Sequence, residues 1–293
     1  MNRTKLNKTK LTVVIAVLLT FIVGATIVIK NTAEKKRLEK LEAEKERIRL
    51  EKIEKEKNEP IIGAKKDSVK KYGFDAKEIY NKLSTFDYSN NGEKVVFLTF
   101  DDGPSTTNTP KILDTLNKHS VKATFFIKGD SLESNGAPEI LKRTFDEGHA
   151  IAHHSYSHNY KTLYPNRSLN LDNFVNEINQ TDMAMKKVLG DKFSSRVLRC
   201  PGGYMSWKNM EPLKNYLAEH DMASIDWNAL NADAEGKKKD YNELFEFAKE
   251  SSKDKEIVVI LMHDTYGKEE TVKSLDLIIP YFKENGYKFK ILV

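Results

Sequence analysis

Beyond Glu93 the chain alternates between short apolar runs and amphipathic stretches, and that alternation restricts it to few folds. The runs at 95–100, 123–127, 150–152, 196–198, 222–225, 257–261 and 287–292 have strand length. Those at 110–118, 139–147, 171–189, 209–220, 241–251 and 271–285 space their apolar residues as helices do. Strands alternating with helices make βα units and a parallel sheet. Seven such strands predict a barrel-like closure rather than an open sheet, and a barrel gathers its chemistry in the loops that follow its strands.

Chemistry-bearing residues lie at those loop starts. In order they are Thr99-Phe100-Asp101-Asp102-Gly103, His154-Ser155-Tyr156-Ser157-His158, Arg199-Cys200-Pro201-Gly202-Gly203-Tyr204, Asp226-Trp227 and Leu261-Met262-His263. Amide hydrolysis needs an activated water, charge stabilisation on the carbonyl oxygen and a proton for the leaving amine. Three protein ligands around a metal with one open position supply the first two, and imidazole and carboxylate suit zinc, cobalt or nickel. Spacing alone does not choose the histidines, because His149/His153 and His154/His158 are both four apart. An Asp-Asp-Gly sequence by itself reads as a turn. Asp101 and Asp102 are neighbours on a strand end, where side chains diverge, so one is expected to reach a metal and the other to face its water.

Together and in this order, the five segments resemble the polysaccharide deacetylase family (carbohydrate esterase family four, the NodB-homology domain) across residues 94–293. The resemblance implies a distorted (β/α)7 barrel that removes acetyl groups from a glycan. It implies one divalent metal, zinc first with cobalt or nickel also suited, held by Asp102, His154 and His158. It makes Asp101 the general base, held by Arg199, and His263 the general acid, with Asp226 as its carboxylate neighbour. The oxyanion donor would be the backbone N–H of Gly202. His149 is then expected to be structural and His153 a hydrogen-bond partner supporting the site, while Asp264 points elsewhere.

Two motifs depart from the family pattern. Members often read Arg-Pro-Pro-Tyr-Gly, so Gly202 stands where a groove tyrosine would be, and Tyr204 or Trp207 is expected to take its place against substrate. Ala223 replaces the first acid of Asp-x-x-Asp-Trp, leaving Asp226-Trp227. Trp227 is expected to stack on a sugar face, and Trp207 either to do the same or to pack in the core. Cys200, the single cysteine, reads as a small buried hydrophobe and permits no intrachain disulfide.

The N-terminal part is of another kind. Residues 11–29 form an uncharged run of nineteen between Lys10 and Lys30, long enough as a helix to match a hydrocarbon core of ~30 Å. It exceeds the apolar region of a cleaved signal peptide and lacks a small-x-small cleavage site, so an uncleaved signal anchor is expected. Arg3, Lys5, Lys8 and Lys10 precede the run, but Lys30, Lys35, Lys36 and Arg37 follow it, so the positive-inside rule does not orient it. A cytoplasmic 1–10 and an extracellular catalytic domain rest on the substrate the resemblance implies. Residues 30–58 are charged, with Glu42 and Lys45, and Glu46 and Arg49, at helical spacing. Lys45, Lys52 and Lys55 interrupt the heptad through Leu38, Leu41 and Ile48, which predicts a solvated stalk of ~35–40 Å with at most weak self-association. Residues 59–93 read as a connector carrying one short helix near 76–83, which would pack on the domain.

The formal net charge of +5 comes without a basic stripe interleaved with aromatics, so no nucleic-acid partner is expected. The leading expectation is a membrane-anchored, single-pass deacetylase of N-acetylglucosamine in peptidoglycan. Another acetylated glycan (chitooligosaccharide, exopolysaccharide or xylan) and a non-catalytic glycan-binding barrel are the alternatives. A two-carboxylate glycosidase is disfavoured, since its acids flank the bond ~5–9.5 Å apart whereas Asp101 and Asp102 are adjacent.

Overall fold

The computed structural model describes residues 3–293. Met1 and Asn2, and the side chains of residues 3–9 and 55–58, among them Arg3, Lys5, Lys8 and Lys55, lie outside the described residues. The chain divides into two compact units, Met1–Glu59 and Pro60–Val293. The first is a continuous helix, Arg3–Asn58. Within it lies one segment long and apolar enough to cross a membrane. Its apolar side chains are solvent-exposed, Phe21 to 73%. Further along, Arg47 and Arg49 pair with Glu44 and Glu46 one turn back, at 2.7 and 3.5 Å.

In the second unit, eight strands form one sheet: β1 Val95–Asp101, β2 Thr124–Ile127, β3 Ala150–His153, β4 Val197–Leu198, β5 Ala223–Ser224, β6 Ala229–Leu230, β7 Ile257–His263 and β8 Lys288–Phe289. Their order is β5-β4-β3-β2-β1-β7-β6, with β8 beside the start of β1. Every pairing is parallel. The ends of this order, β5 and β6, do not pair, so the sheet is a curled half-barrel of the (β/α)7 kind.

Strand β1 is buried along its whole length, as a central parallel strand covered on both faces should be. Its alternate residues serve two cores. Val96, Leu98 and Phe100 pack outward with Ile112, Leu116, Ile278 and Phe282 of the surrounding helices. Val95 and Phe97 pack inward with Phe126, Ala152, Val197, Ile225, Ile257 and Val259. The same period of two carries Asp101 inward at the end of β1 and His263 inward at the end of β7, where they are register partners. It also turns His153 outward, because Ala152 faces in and Ile151 faces out.

Residues 60–93 belong to the second unit, and the expected short helix packs on it. Ile61–Ile62 pairs with Phe193–Ser194, and Gly73–Phe74 pairs with Ile291–Leu292 near the C-terminus. Helix Ala76–Ser84, capped by Asp75, which accepts from Lys77 N at 2.8 Å, buries Ala76, Ile79 and Leu83. These three enter the inner core beside Phe97, Ile225 and Val259, so the helix fills space that strands would line in a closed barrel. Ile79 has no exposed surface. Ile79→Ala is expected to destabilise the protein by about 2–4 kcal/mol in equilibrium denaturation; a loss below about 0.5 kcal/mol, the level of an ordinary surface change, would show that the helix is not part of the core.

Candidate active site

Four polar groups converge at the C-terminal ends of β1 and β3. His154 Nε2 lies 3.6 Å from Asp101 Oδ2 and 3.6 Å from Asp102 Oδ1, and His158 Nε2 lies 3.7 Å from Asp102 Oδ1. Strand geometry alone would have separated the two aspartates. Asp102 instead has φ +71°, leaving the extended conformation and turning its carboxylate toward the histidine that Asp101 also faces. Ser155 and His158 share this left-handed conformation, which L-residues adopt at a cost of about 1–3 kcal/mol and which clusters at functional sites.

The donor set fits a metal ion. One ligand atom from each of Asp102, His154 and His158 lies within 4.8 Å of the others. Asp102 Oδ1 is buried without a hydrogen-bond partner among the described residues, and such an atom calls for a ligand. His154 Nδ1 lies 2.9 Å from the Arg199 carbonyl, so Nδ1 must donate and Nε2 is left as the ligating nitrogen. Burial, with His154 nearby, holds the His158 pKa below its ordinary value, which keeps the imidazole neutral as a metal requires.

Arg199 holds Asp101. It is fully buried and donates from Nη1 to Asp101 Oδ1 at 2.7 Å and to Thr99 Oγ1 at 2.9 Å. Its Nε donates to the Ile225 carbonyl at 2.8 Å and Nη2 to the Asp226 carbonyl at 3.3 Å. With Oδ1 so held, Asp101 Oδ2 is directed at the metal-ligand cluster.

The carboxylate beside His263 is Asp233, not Asp226. Asp233 Oδ1 lies 2.7 Å from His263 Nδ1, and its Oδ2 accepts from His263 N at 2.9 Å and Thr271 Oγ1 at 2.6 Å. Burial disfavours the His263 imidazolium, but the hydrogen bond and charge of Asp233 outweigh it and raise the ring's pKa above the ordinary histidine value. Asp226 instead accepts from Tyr204 N at 2.9 Å and so fixes the loop after Arg199; burial raises its pKa despite that bond and the Arg199 charge. Sequence reading missed Asp233 because it sits in a polar loop with no motif spacing. Its one local signal, a left-handed Ala232 before it (φ +60°), is visible only in the structure.

Among the remaining expectations, that for His153 needs correction, whereas a structural His149, a buried Cys200 and an Asp264 directed away from the site are as expected. Outward-facing His153 has Asp182, Ser195 and Lys186 around it, and its burial drives the pKa down to about 4; the hydrogen bond that orients candidate ligand His154 is the one its Nδ1 donates to the Arg199 carbonyl. His149 Nδ1 accepts from Ala123 N at 3.1 Å, a structural bond. Tyr204 gives its hydroxyl to the Met210 carbonyl at 3.0 Å and is not free for substrate. Trp207 stacks on Tyr164 at 4.1 Å and donates to the Pro201 carbonyl at 2.8 Å. Trp227 lies against Gly203, where an added Cβ would be 3.0 Å from the indole. Cys200 is buried, and burial pushes its thiol up to about 12. Asp264 turns beneath Gly103 to accept from Thr109 Oγ1 at 2.6 Å. A Cβ at 103 would lie 2.1 Å from the Asp264 carboxylate, so close approach is what this glycine serves.

With this geometry in place, comparison with known proteins is direct. A family model described as polysaccharide deacetylase matches residues 88–221, a span that holds both aspartates, both candidate ligand histidines and Arg199. A peptidoglycan-N-acetylglucosamine deacetylase of Bacillus cereus is 34% identical over 229 residues, covering 76% of this chain and 72% of the relative. The chain belongs to the polysaccharide deacetylase family. A peptidoglycan-N-acetylmuramic acid deacetylase of Bacillus subtilis is 32% identical over 240 residues, covering 80% of this chain and 84% of the relative. Among solved structures, a Streptococcus mutans CE4 esterase superposes with a TM-score of 0.73 at 37% identity, covering 79% of this chain and 96% of that one. As a member of this family the protein is a hydrolytic enzyme.

A general acid must carry its proton to act, so if His263 serves as that acid, activity is lost as pH rises through its pKa. Asp233→Asn removes the charge that raises this pKa. The alkaline limb of the kcat–pH profile is expected to move to lower pH; an unmoved limb would separate Asp233 from the proton transfer.

Proposed function

We propose that this protein is a metal-dependent N-deacetylase of peptidoglycan, acting on N-acetylglucosamine from an extracellular position at the end of its membrane-spanning helix. The observation that carries the reading is the convergence of Asp101 Oδ2, Asp102 Oδ1, His154 Nε2 and His158 Nε2 within 3.6–3.7 Å contacts, across from a histidine poised as acid by Asp233. The kinship with peptidoglycan deacetylases of Bacillus cereus and Bacillus subtilis supports the polymer, and the apolar helix supports the location.

Asp102, His154 and His158 would hold the ion. Bound there, a divalent metal supplies Lewis acidity toward the acetyl oxygen and lowers the pKa of water. Asp101 takes the proton from the attacking water, aimed by Arg199. The N–H of Gly202 makes no hydrogen bond within the protein among the described residues and is free to donate to the acyl oxygen as charge develops. His263, with Nδ1 held by Asp233, presents Nε2 to the departing amine and protonates it.

The full chain in detergent micelles, stripped with chelator and given zinc or cobalt, is expected to release acetate from purified peptidoglycan without shortening its glycan strands. Acetate from N-acetylglucosamine oligomers alone would redirect the substrate to another glycan, and none from any substrate with metal bound would favour a binding protein. Asp101→Asn is expected to keep its metal while kcat falls at least ~100-fold, whereas Asp102→Asn is expected to lose metal. Metal analysis of the two variants checks the assignment, and the opposite pattern would exchange the two roles.

A further inference from the structure

The groove residue missing at Gly202 has a counterpart that enters from another loop. Gly202 has φ +75°, and a Cβ built on it would lie 3.2 Å from the Tyr160 hydroxyl and 3.1 Å from Trp207 Cζ2. The space a side chain at 202 would need is therefore already occupied, chiefly by the phenol end of Tyr160. Resting on the deacetylase reading, we propose that Tyr160 is a catalytic residue whose hydroxyl donates, with the Gly202 N–H, to the acyl oxygen of the bound acetamide.

Geometry supports this role in three ways. The Cβ position of any residue lies ~2.5 Å from its own backbone nitrogen, so the Tyr160 oxygen is at most ~5.7 Å from Gly202 N. One oxygen accepting two hydrogen bonds of ~2.9 Å can bridge that span. Next, the hydroxyl is unspent: Tyr160 is 43% exposed and its phenol makes no hydrogen bond to any described residue, unlike Tyr204, whose hydroxyl is committed to Met210. Finally, the ring is held in place. It packs 5.1 Å from His158 and 5.0 Å from Trp207, and Trp207 is itself pinned by Tyr164 and Pro201. Asn159, which accepts from Lys161 N at 3.0 Å, caps the short helix on which Tyr160 sits.

In the reaction, the water oxygen bonds to the acyl carbon, and the carbonyl π pair moves onto the oxygen facing Gly202 and Tyr160. Asp101 receives the water's proton. When the C–N bond breaks, His263 protonates the amine and the carbonyl re-forms as acetic acid, which loses its remaining proton to solvent to give acetate, while the proton on Asp101 is returned to the His263 side through solvent for the next turnover. Tyr160 keeps its proton throughout; its hydrogen bond strengthens as the oxygen becomes anionic.

The test is Tyr160→Phe in the full chain, assayed on purified peptidoglycan with metal content and thermal melting measured in parallel. With metal and melting unchanged, kcat is expected to fall by about 100-fold, as for other single oxyanion donors, with KM within ~3-fold. A methylphosphonamidate analogue of N-acetylglucosamine, which mimics the tetrahedral acyl centre, is expected to bind about 100-fold more weakly, while the glucosamine product binds as before. A rise in KM with kcat unchanged would make Tyr160 a sugar-stacking residue and overturn the proposal, as would a kcat loss that tracks metal loss or melting. Acetate from the wild type with Tyr160→Phe equally active overturns this role alone; no acetate from the wild type overturns the deacetylase reading and this role with it.

Discussion

The buried guanidinium of Arg199 is the interaction on which the site depends. A half-barrel that does not close has no continuous ladder to fix the distance between its ends, and Arg199 supplies ties across the interior. Its donors reach Thr99 and Asp101 on β1 and the Ile225 and Asp226 carbonyls beyond β5. Its face lies 4.1 Å over Phe126 of β2. Thr99 extends the chain of bonds to the Ile260 carbonyl of β7 at 2.6 Å. A buried charge is tolerated only when its partners are complete, so this residue demands that several strand ends sit in one arrangement. Lysine could not reproduce that fork of donors.

Much of the site was legible in the order of its motifs, and much of the fold in its punctuation. Helices Leu171–Leu189 and Tyr241–Ser251 fall where the apolar spacing places them because both begin at side-chain caps, Asn170 and the Asp240–Glu243 capping box, and the first ends at Gly190. Strands β1 and β7 were readable as unbroken apolar runs. Ala229–Leu230, Ile61–Ile62 and Gly73–Phe74 were not, since two residues cannot display a period. The short helix of the connector was legible, but the strand pairs that fasten the segment on either side of it were not.

Side-chain direction is where sequence reasoning ran out. His153 and His154 are adjacent and equally suited to ligation, and only the inward placement of Ala152 shows that His153 faces away. The two aspartates required a left-handed residue, which an aspartate does not announce. Asp233 lies thirty positions from the histidine it serves, and that partnership is formed by the pairing of β6 with β7.

The two-residue strand pairs also bear on mechanics. Chain entering at Pro60 is stitched at once to Phe193–Ser194, then to Ile291–Leu292 almost at the C-terminus. Force applied along these parallel pairs would load them in shear, with their hydrogen bonds sharing the strain instead of opening one after another. The same stitching delays completion of the fold until the last residues of the chain have emerged, so a chain truncated near its end would lose its hold at the opposite terminus as well.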